Sequence, residues 1–387
     1  MTCDMTCVEL FAGAGGAAAG LMGAGLSHLL CVDHDEDCVA TLQAAGLPGL
    51  LSDLSTAEGR ASVVSALEGR RPDLVWASPP CQPWSAAGQR RGGEDSRDGW
   101  PWTLAVLDDL RPTWVLGENV AGMTHAPARP YLEGLLAELR RRYAYVGWWV
   151  LDCADYGVPQ RRVRLIVWCG PRPLSPPART HAEPPTHHLL GLRPWMSMGE
   201  ALPHLVGVTV SARDAARSPL PVTMPREPER LLRPSPCVTT TEEKGTRASR
   251  SSGWTMHGGP DRASDAAWLA TGRRRLTVEE CCALQAFPPQ WPWRARTRSS
   301  GYRMCGNAVP PPFASAIART LPGPTMTHPY DCPACGEAAT ILVRGQCPAC
   351  HDLDEVLALQ RIEEGYDPPR RPPPAMRPPA DPEAVEW

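Results

Sequence analysis

One of the fifteen cysteines in this 387-residue chain sits where a sulfur can do chemistry. Leu74-Val75-Trp76-Ala77 reads as a buried strand, and Ser78-Pro79-Pro80-Cys81-Gln82-Pro83-Trp84-Ser85 leaves it at once. Open α/β folds bind ligands at the C-terminal ends of their strands. Prolines on either side stiffen the backbone and hold the sulfur in one geometry. A deprotonated cysteine is a strong nucleophile. Most single cysteines are inert core residues, but a Pro-Pro-Cys-Gln-Pro loop is a poor place for one, so Cys81 is read as a nucleophile.

A second pattern is Phe11-Ala12-Gly13-Ala14-Gly15-Gly16, a glycine turn between a strand and a helix over 17–22. Glycines let the backbone approach a ligand, and the helix N-terminus offers it N–H donors. The turn also fits the dinucleotide fingerprint G-x-G-x-x-A, with Asp33 twenty residues beyond Gly13. A nicotinamide site and a plain tight turn both stay open on this motif alone. Asp33 closes the second strand, where a carboxylate can accept both ribose hydroxyls, and Asp53 follows Leu50-Leu51. Either acid could equally cap the helix that follows it.

A third pattern is Cys332-x2-Cys335-x11-Cys347-x2-Cys350, two knuckles spaced for tetrahedral zinc. Such a ribbon folds around its metal and could bind DNA, hold a protein partner or brace the chain.

Positioning these residues requires a scaffold. Val8–Phe11, Leu29–Val32, Leu74–Ala77, Trp114–Leu116 and Arg164–Trp168 are short apolar runs alternating with helical patterns, including Leu132, Leu135, Leu136 and Leu139. That rhythm predicts an α/β fold with a doubly wound, mostly parallel sheet. From Pro171 to about Gly272 it dissolves into proline, arginine, serine and threonine, with short candidate strands at Leu205–Val210 and Pro236–Thr241. Thr277 followed by Glu280 predicts a capping box, and 309–321 and 353–362 read as further helices.

Composition excludes several classes. At 43% hydrophobic and 21% charged residues the chain is neither fibrous nor wholly disordered. No run approaches the ~18 apolar residues of a membrane span, and residues 1–7 lack a signal core. A cytoplasmic protein with reduced thiols and no membrane partner is expected. The net charge of −3 divides unevenly, because residues 331–387 hold 5 basic and 11 acidic side chains and leave the preceding body mildly basic.

With Gly117-Glu118-Asn119-Val120, Gln160-Arg161-Arg162-Val163-Arg164, Arg275-Leu276-Thr277 with Glu280, and Gly306-Asn307-Ala308-Val309-Pro310-Pro311 following in order, residues 7–320 resemble the cytosine-5 DNA methyltransferase family. The resemblance implies an S-adenosylmethionine-dependent methylase of double-stranded DNA. Cys81 matches the thiolate that adds to cytosine C6, and Glu118 the acid near N3. Arg162 and Arg164 match the guanidinium groups beside them, with Arg162 the closer. Phe11 would stack on the adenine, with Gly13, Gly15 and Gly16 forming the turn beneath the cofactor. Asp33 would bind the ribose, Asp53 the adenine amino group, and His34, Leu54, Asn307 and Val309 would complete the pocket. His34 departs from the larger aromatic or apolar residue of many relatives, and Glu9 from their usual Asp.

The implied organisation is a catalytic domain over 1–170, a target-recognition region over 171–298, and a returning segment over 299–322 that completes the catalytic domain. A zinc ribbon with a helix over 328–365 and a proline-rich tail over 366–387 would follow. Residues 226–275 carry 10 basic and 6 acidic side chains, suited to phosphates and guanine edges. Catalysis by a monomer is expected, within a restriction–modification system or as an orphan methylase. An RNA methyltransferase with the same core, a nicotinamide dehydrogenase and a DNA-binding protein without turnover are the rivals. The second leaves Cys81, Glu118 and Asn307 without a role.

Overall fold

The computed structural model describes residues 5–80, 98–202, 233–235, 237–238 and 277–322. All belong to the first of two compact units, which runs through Gly323. Cys81, the candidate strand at 205–210, most of that at 236–241, the helix at 353–362 and the four zinc-knuckle cysteines lie outside the described residues.

A seven-stranded sheet forms the centre. In chain order its strands are β1 (Thr6–Leu10), β2 (Ser27–Asp33), β3 (Gly49–Leu51), β4 (Leu74–Ala77), β5 (Trp114–Val120), β6 (Tyr145–Asp152) and β7 (Val163–Gly170). They lie in the order β3-β2-β1-β4-β5-β7-β6. The first five pair in parallel, and β7 runs antiparallel to both neighbours. The interleaved helices are α1 (Gly16–Gly23), α2 (Glu36–Ala44), α3 (Ala57–Ala66), α4 (Trp100–Leu110) and α5 (Arg129–Arg140). The strand order reverses at β1, flanked by β2 and β4, and this opens the crevice where such sheets bind ligands.

Alternate residues of each buried strand serve the two faces. Val8, Leu10, Val75 and Val115 pack with Leu132, Leu136 and Leu139 of α5 on one face. Cys7, Leu74, Trp76, Trp114 and Leu116 pack on the other with Leu21 of α1 and with Phe313, Ala314 and Ile317. Those last three come from α10 (Pro311–Ala318), which follows α8 (Val278–Leu284) and α9 (Arg298–Asn307), once the short elements β8 (His181–Ala182), α6 (Thr186–Leu190), β9 (Arg193–Pro194) and α7 (Met198–Ala201) are counted. The chain therefore returns after residue 277 to finish the core of the sheet that its N-terminus began. At α8, Thr277 and Glu280 form the predicted capping box.

Strand β6 has no counterpart among the sequence-predicted strands. It is an edge strand, half-buried along most of its length, and its apolar run Trp148-Trp149-Val150-Leu151 is as long as that of β4, so the signal was present in the sequence. Gly147 precedes that run, and a Cβ there would come within 2.3 Å of the Trp168 ring.

Candidate active site

At the end of β1, Phe11 and Gly13 take left-handed backbone conformations, with φ of 57° and 54°, and Gly15 follows at 83°. Side chains seldom adopt such angles, and no side chain caps the first turn of α1. A Cβ on Gly13 would meet nothing within 4 Å, whereas one on Gly16 would fall 2.2 Å from the Val309 carbonyl oxygen. Gly13 thus opens the turn outward, and Gly16 lets the returning segment dock behind it.

Asp33 ends β2 beside this turn. It is buried, and its two oxygens accept from the backbone N–H groups of Gly13 (2.7 Å) and Asp35 (2.9 Å). Burial pushes its acid pKa up, against the pull of those hydrogen bonds. The predicted ribose ligand therefore also ties the glycine turn to the start of α2, and a carboxylate retains lone pairs for further donors. His34, exposed, lies 3.5 Å from Asp33. Asp53 is exposed, accepts from the Ser55 N–H at 2.9 Å, and is held below the ordinary carboxylate range chiefly by its hydrogen bonds to Ser55. Leu54 is buried in the core and Phe11 lies 6.5 Å from the Trp102 ring. Val309 is buried, while Asn307 ends α9 in an exposed position. The open turn, the uncapped helix end and two acids at consecutive strand ends fit a nucleoside-bearing ligand such as S-adenosylmethionine.

The strand next to β1 delivers Ser78-Pro79-Pro80, with Cys81 the following residue. Both flanks of that loop are stapled. The Asn119 side-chain amide donates to the Pro79 carbonyl at 3.1 Å, and Gly99 N–H donates to the Pro80 carbonyl at 3.2 Å. A Cβ on Gly99 would stand 2.7 Å from both prolines.

Glu118 precedes Asn119 on β5 and is buried at 8% exposure. Its Oε1 lies 2.8 Å from Nε of Arg164, which reaches across from β7. The resemblance made Arg162 the closer of the two arginines; toward Glu118 it is Arg164 that makes the pair. Arg162 stands just before β7 and gives Nη1 to the Val238 carbonyl and Nη2 to the Gly306 carbonyl, each at 3.0 Å. Burial pulls the Arg162 pKa down from its ordinary value, while its anionic neighbours hold that of Arg164 up against the same penalty.

Several residues of the site escaped the sequence reading. Trp291 lies against Gly15 and donates to the Ala14 carbonyl at 2.8 Å, closing the glycine turn from 277 residues away. Gln160, quoted in the motif through Arg164, finds an unforeseen partner in Gln285, side chain to side chain at 3.1 Å between the two halves of the chain. Cys237 approaches both Arg162 and Arg164. Their only local signal was a polar or aromatic residue near a motif, and the partner in each case is distant in sequence.

A glycine turn after β1 and a doubly stapled Ser78-Pro79-Pro80 segment after β4, backed by an acid–arginine pair on β5 and β7, fit a group-transfer enzyme of the doubly wound class. The C-5 cytosine-specific DNA methylase family model matches residues 5–186 and 226–322, and the chain belongs to that family. It is a DNA cytosine-5 methyltransferase that uses S-adenosylmethionine. Type II methyltransferase M.AplI of Arthrospira platensis is 30% identical over 333 residues, spanning 82% of this chain and 86% of that protein. Type II methyltransferase M.NaeI of Lentzea aerocolonigenes is 28% identical over 340 residues, spanning 81% and 74%. The solved structure of S. pombe Dnmt2 methyltransferase superposes with a TM-score of 0.53 at 17% identity, covering 82% of this chain and 98% of that one, and shares the fold. No helix among the described residues is long and apolar enough to cross a membrane.

Proposed function

We propose that this methyltransferase acts on a flipped-out cytosine within a specific duplex sequence, through a covalent bond between Cys81 and C6. The observation that carries the reading is the Glu118–Arg164 pair, whose strand also holds, through Asn119, the backbone immediately before Cys81. Enzymes that do chemistry on a base take it out of the stack. As the thiolate adds to C6, electron density builds on the ring, and Glu118, carrying or sharing a proton, can neutralise it at N3. Arg164 orients that acid and donates to the base, while Arg162 fixes the backbone around it. S-adenosylmethionine, when bound, supplies the electrophilic methyl. Gly13, Gly15 and Gly16 form its turn, with Phe11, Asp33, His34, Asp53, Leu54, Asn307 and Val309 around it. The region 171–298 would read the target, in a bacterial or phage-infected cytoplasm, alongside a restriction enzyme or alone.

Cys81→Ser tests the reading. Methylation of duplex DNA should be abolished while S-adenosylmethionine binding stays near wild type, and retained methylation overturns the mechanism. A substrate swap between duplex DNA and tRNA addresses the RNA reading, and bisulfite sequencing of DNA from expressing cells would report the target sequence. Cys332, Cys335, Cys347 and Cys350 would hold one structural zinc, and the ribbon would brace the chain or meet a protein partner. Elemental analysis should return one zinc per chain, lost in a Cys332→Ser/Cys335→Ser variant with the catalytic groups untouched.

A further inference from the structure

We propose that Cys237 is a positioning residue of the methyl-transfer site, its sulfur lodged between Arg162 and Arg164 so that Arg164 is held where it meets Glu118. This rests on Glu118 and Arg164 serving the reaction as described above. Arg162 Nη1 stands 3.5 Å and Arg164 Nη2 3.9 Å from the Cys237 sulfur. The rest of the Arg164 head is committed, with Nε to Glu118 at 2.8 Å and Nη1 to the Val163 carbonyl at 2.9 Å. The sulfur is thus the third of three anchors that stop the guanidinium from turning away from the acid.

Charge balance points the same way. Arg162 is buried and the Arg164 side chain is 14% exposed beside it, and Glu118 is the one carboxylate that either side chain is paired with among the described residues. Asp152 lies close, but it bonds the Arg162 backbone N–H and pairs with the exposed Arg161, and Cys153 is a buried thiol pushed up by desolvation. A buried cation without a counter-charge is costly, and a thiolate at Cys237 would supply the second negative charge. Burial alone would push this thiol up, yet the two arginines outweigh it and hold it below the ordinary cysteine value.

The sulfur is not needed to seat its own segment. Ser235 bonds Pro159 and Arg161 through the backbone, at 2.9 and 2.8 Å, and Val238 N–H donates to the Gln160 side chain at 2.9 Å. Cys237 is therefore delivered by backbone contacts; its sulfur also lies 3.5 Å from the Val238 carbonyl oxygen, which Arg162 Nη1 shares at 3.0 Å, so the thiol faces the two arginines and the acceptor one of them holds. Because it comes from the region between the two catalytic segments, it links that region to the acid.

The test compares Cys237→Ala and Cys237→Ser with wild type on duplex DNA. For Cys237→Ala, kcat should fall roughly 10- to 100-fold with the KM for S-adenosylmethionine unchanged. Cys237→Ser should recover part of kcat. Alkylation of Cys237 by iodoacetamide in the Cys81→Ser protein, followed by mass spectrometry against pH, gives a readout that needs no new variant at this position. Its midpoint should fall below that of an ordinary cysteine, and one at or above it overturns the proposal. Unchanged kcat in Cys237→Ala, with Cys81→Ser inactive, would also overturn it while leaving the catalytic reading intact. An active Cys81→Ser would instead fail the catalytic reading itself.

Discussion

Single residues in this fold do two jobs, and their environments show which costs most. Glu9 on β1 is 1% exposed, with its Oε2 at 3.4 Å from His28 Nε2, too long and too poorly aligned for a good hydrogen bond. Desolvation raises its pKa, His28 pulls it back in part, and Asp33 adds to the rise. The neutral acid is thus favoured in the folded chain. A raised folded-state value gives a contribution that is fully present below the unfolded value of about 4.3 and lost as pH climbs through the folded one. Glu9→Gln, neutral throughout, should therefore gain on wild type as pH rises from 4 to 8. The Tm difference between the two should grow by on the order of 2 °C or more across that span, and a difference independent of pH would refute the argument.

At the scale of elements, α1 and α10 pack backbone against backbone. A Cβ on Gly20 would lie 2.3 Å from the Pro311 carbonyl oxygen, 2.7 Å from the Ala314 Cβ and 2.9 Å from the Ser315 nitrogen. Two of those three atoms are backbone, so no rotamer change relieves them. Gly20→Ala should cost about 2–3 kcal/mol, read as a lower midpoint in urea unfolding with unchanged slope. Gly23→Ala, one turn on and with only the Ser315 hydroxyl at 3.9 Å, should be close to neutral and serves as the control. The short residues of α1, which read locally as part of a cofactor turn, are equally the seat for a helix 290 residues away.

On the scale of the whole molecule, the returning segment is fastened to the N-terminal half by charge as well as by apolar packing. Asp37, buried near the start of α2, accepts from the Ser300 hydroxyl and from Arg296, whose other arm pairs with Glu36, and Arg303 pairs with Asp35. Burial would raise the Asp37 pKa, but its bonds to Ser300 and Arg296 prevail and lower it. A depressed carboxylate stabilises above its unfolded value and loses that contribution as pH falls through the folded one. Asp37→Asn should therefore lower Tm at pH 7, with the gap to wild type closing as pH drops below about 3.9. Protection of α9 amides in hydrogen exchange should fall in the same variant, because α9 carries the Ser300 and Arg303 contacts.

By itself the sequence determined the central parallel strands, the glycine turn and the Pro-Pro-Cys loop, the capped helix at Thr277 and the family, because each is written in local spacing. Hydrophobic period, turn chemistry and caps act over a few residues and can be read in order along the chain. Only the tertiary structure decided that Arg164 rather than Arg162 meets Glu118, since both alternate onto the same side and the choice depends on what else each guanidinium finds. It also decided that Trp291 closes the glycine turn, that Cys237 sits between two arginines, and that α10 packs on Gly20. Those contacts join residues from about 45 to nearly 300 positions apart, and their energy comes from burial and pairing that no local window contains.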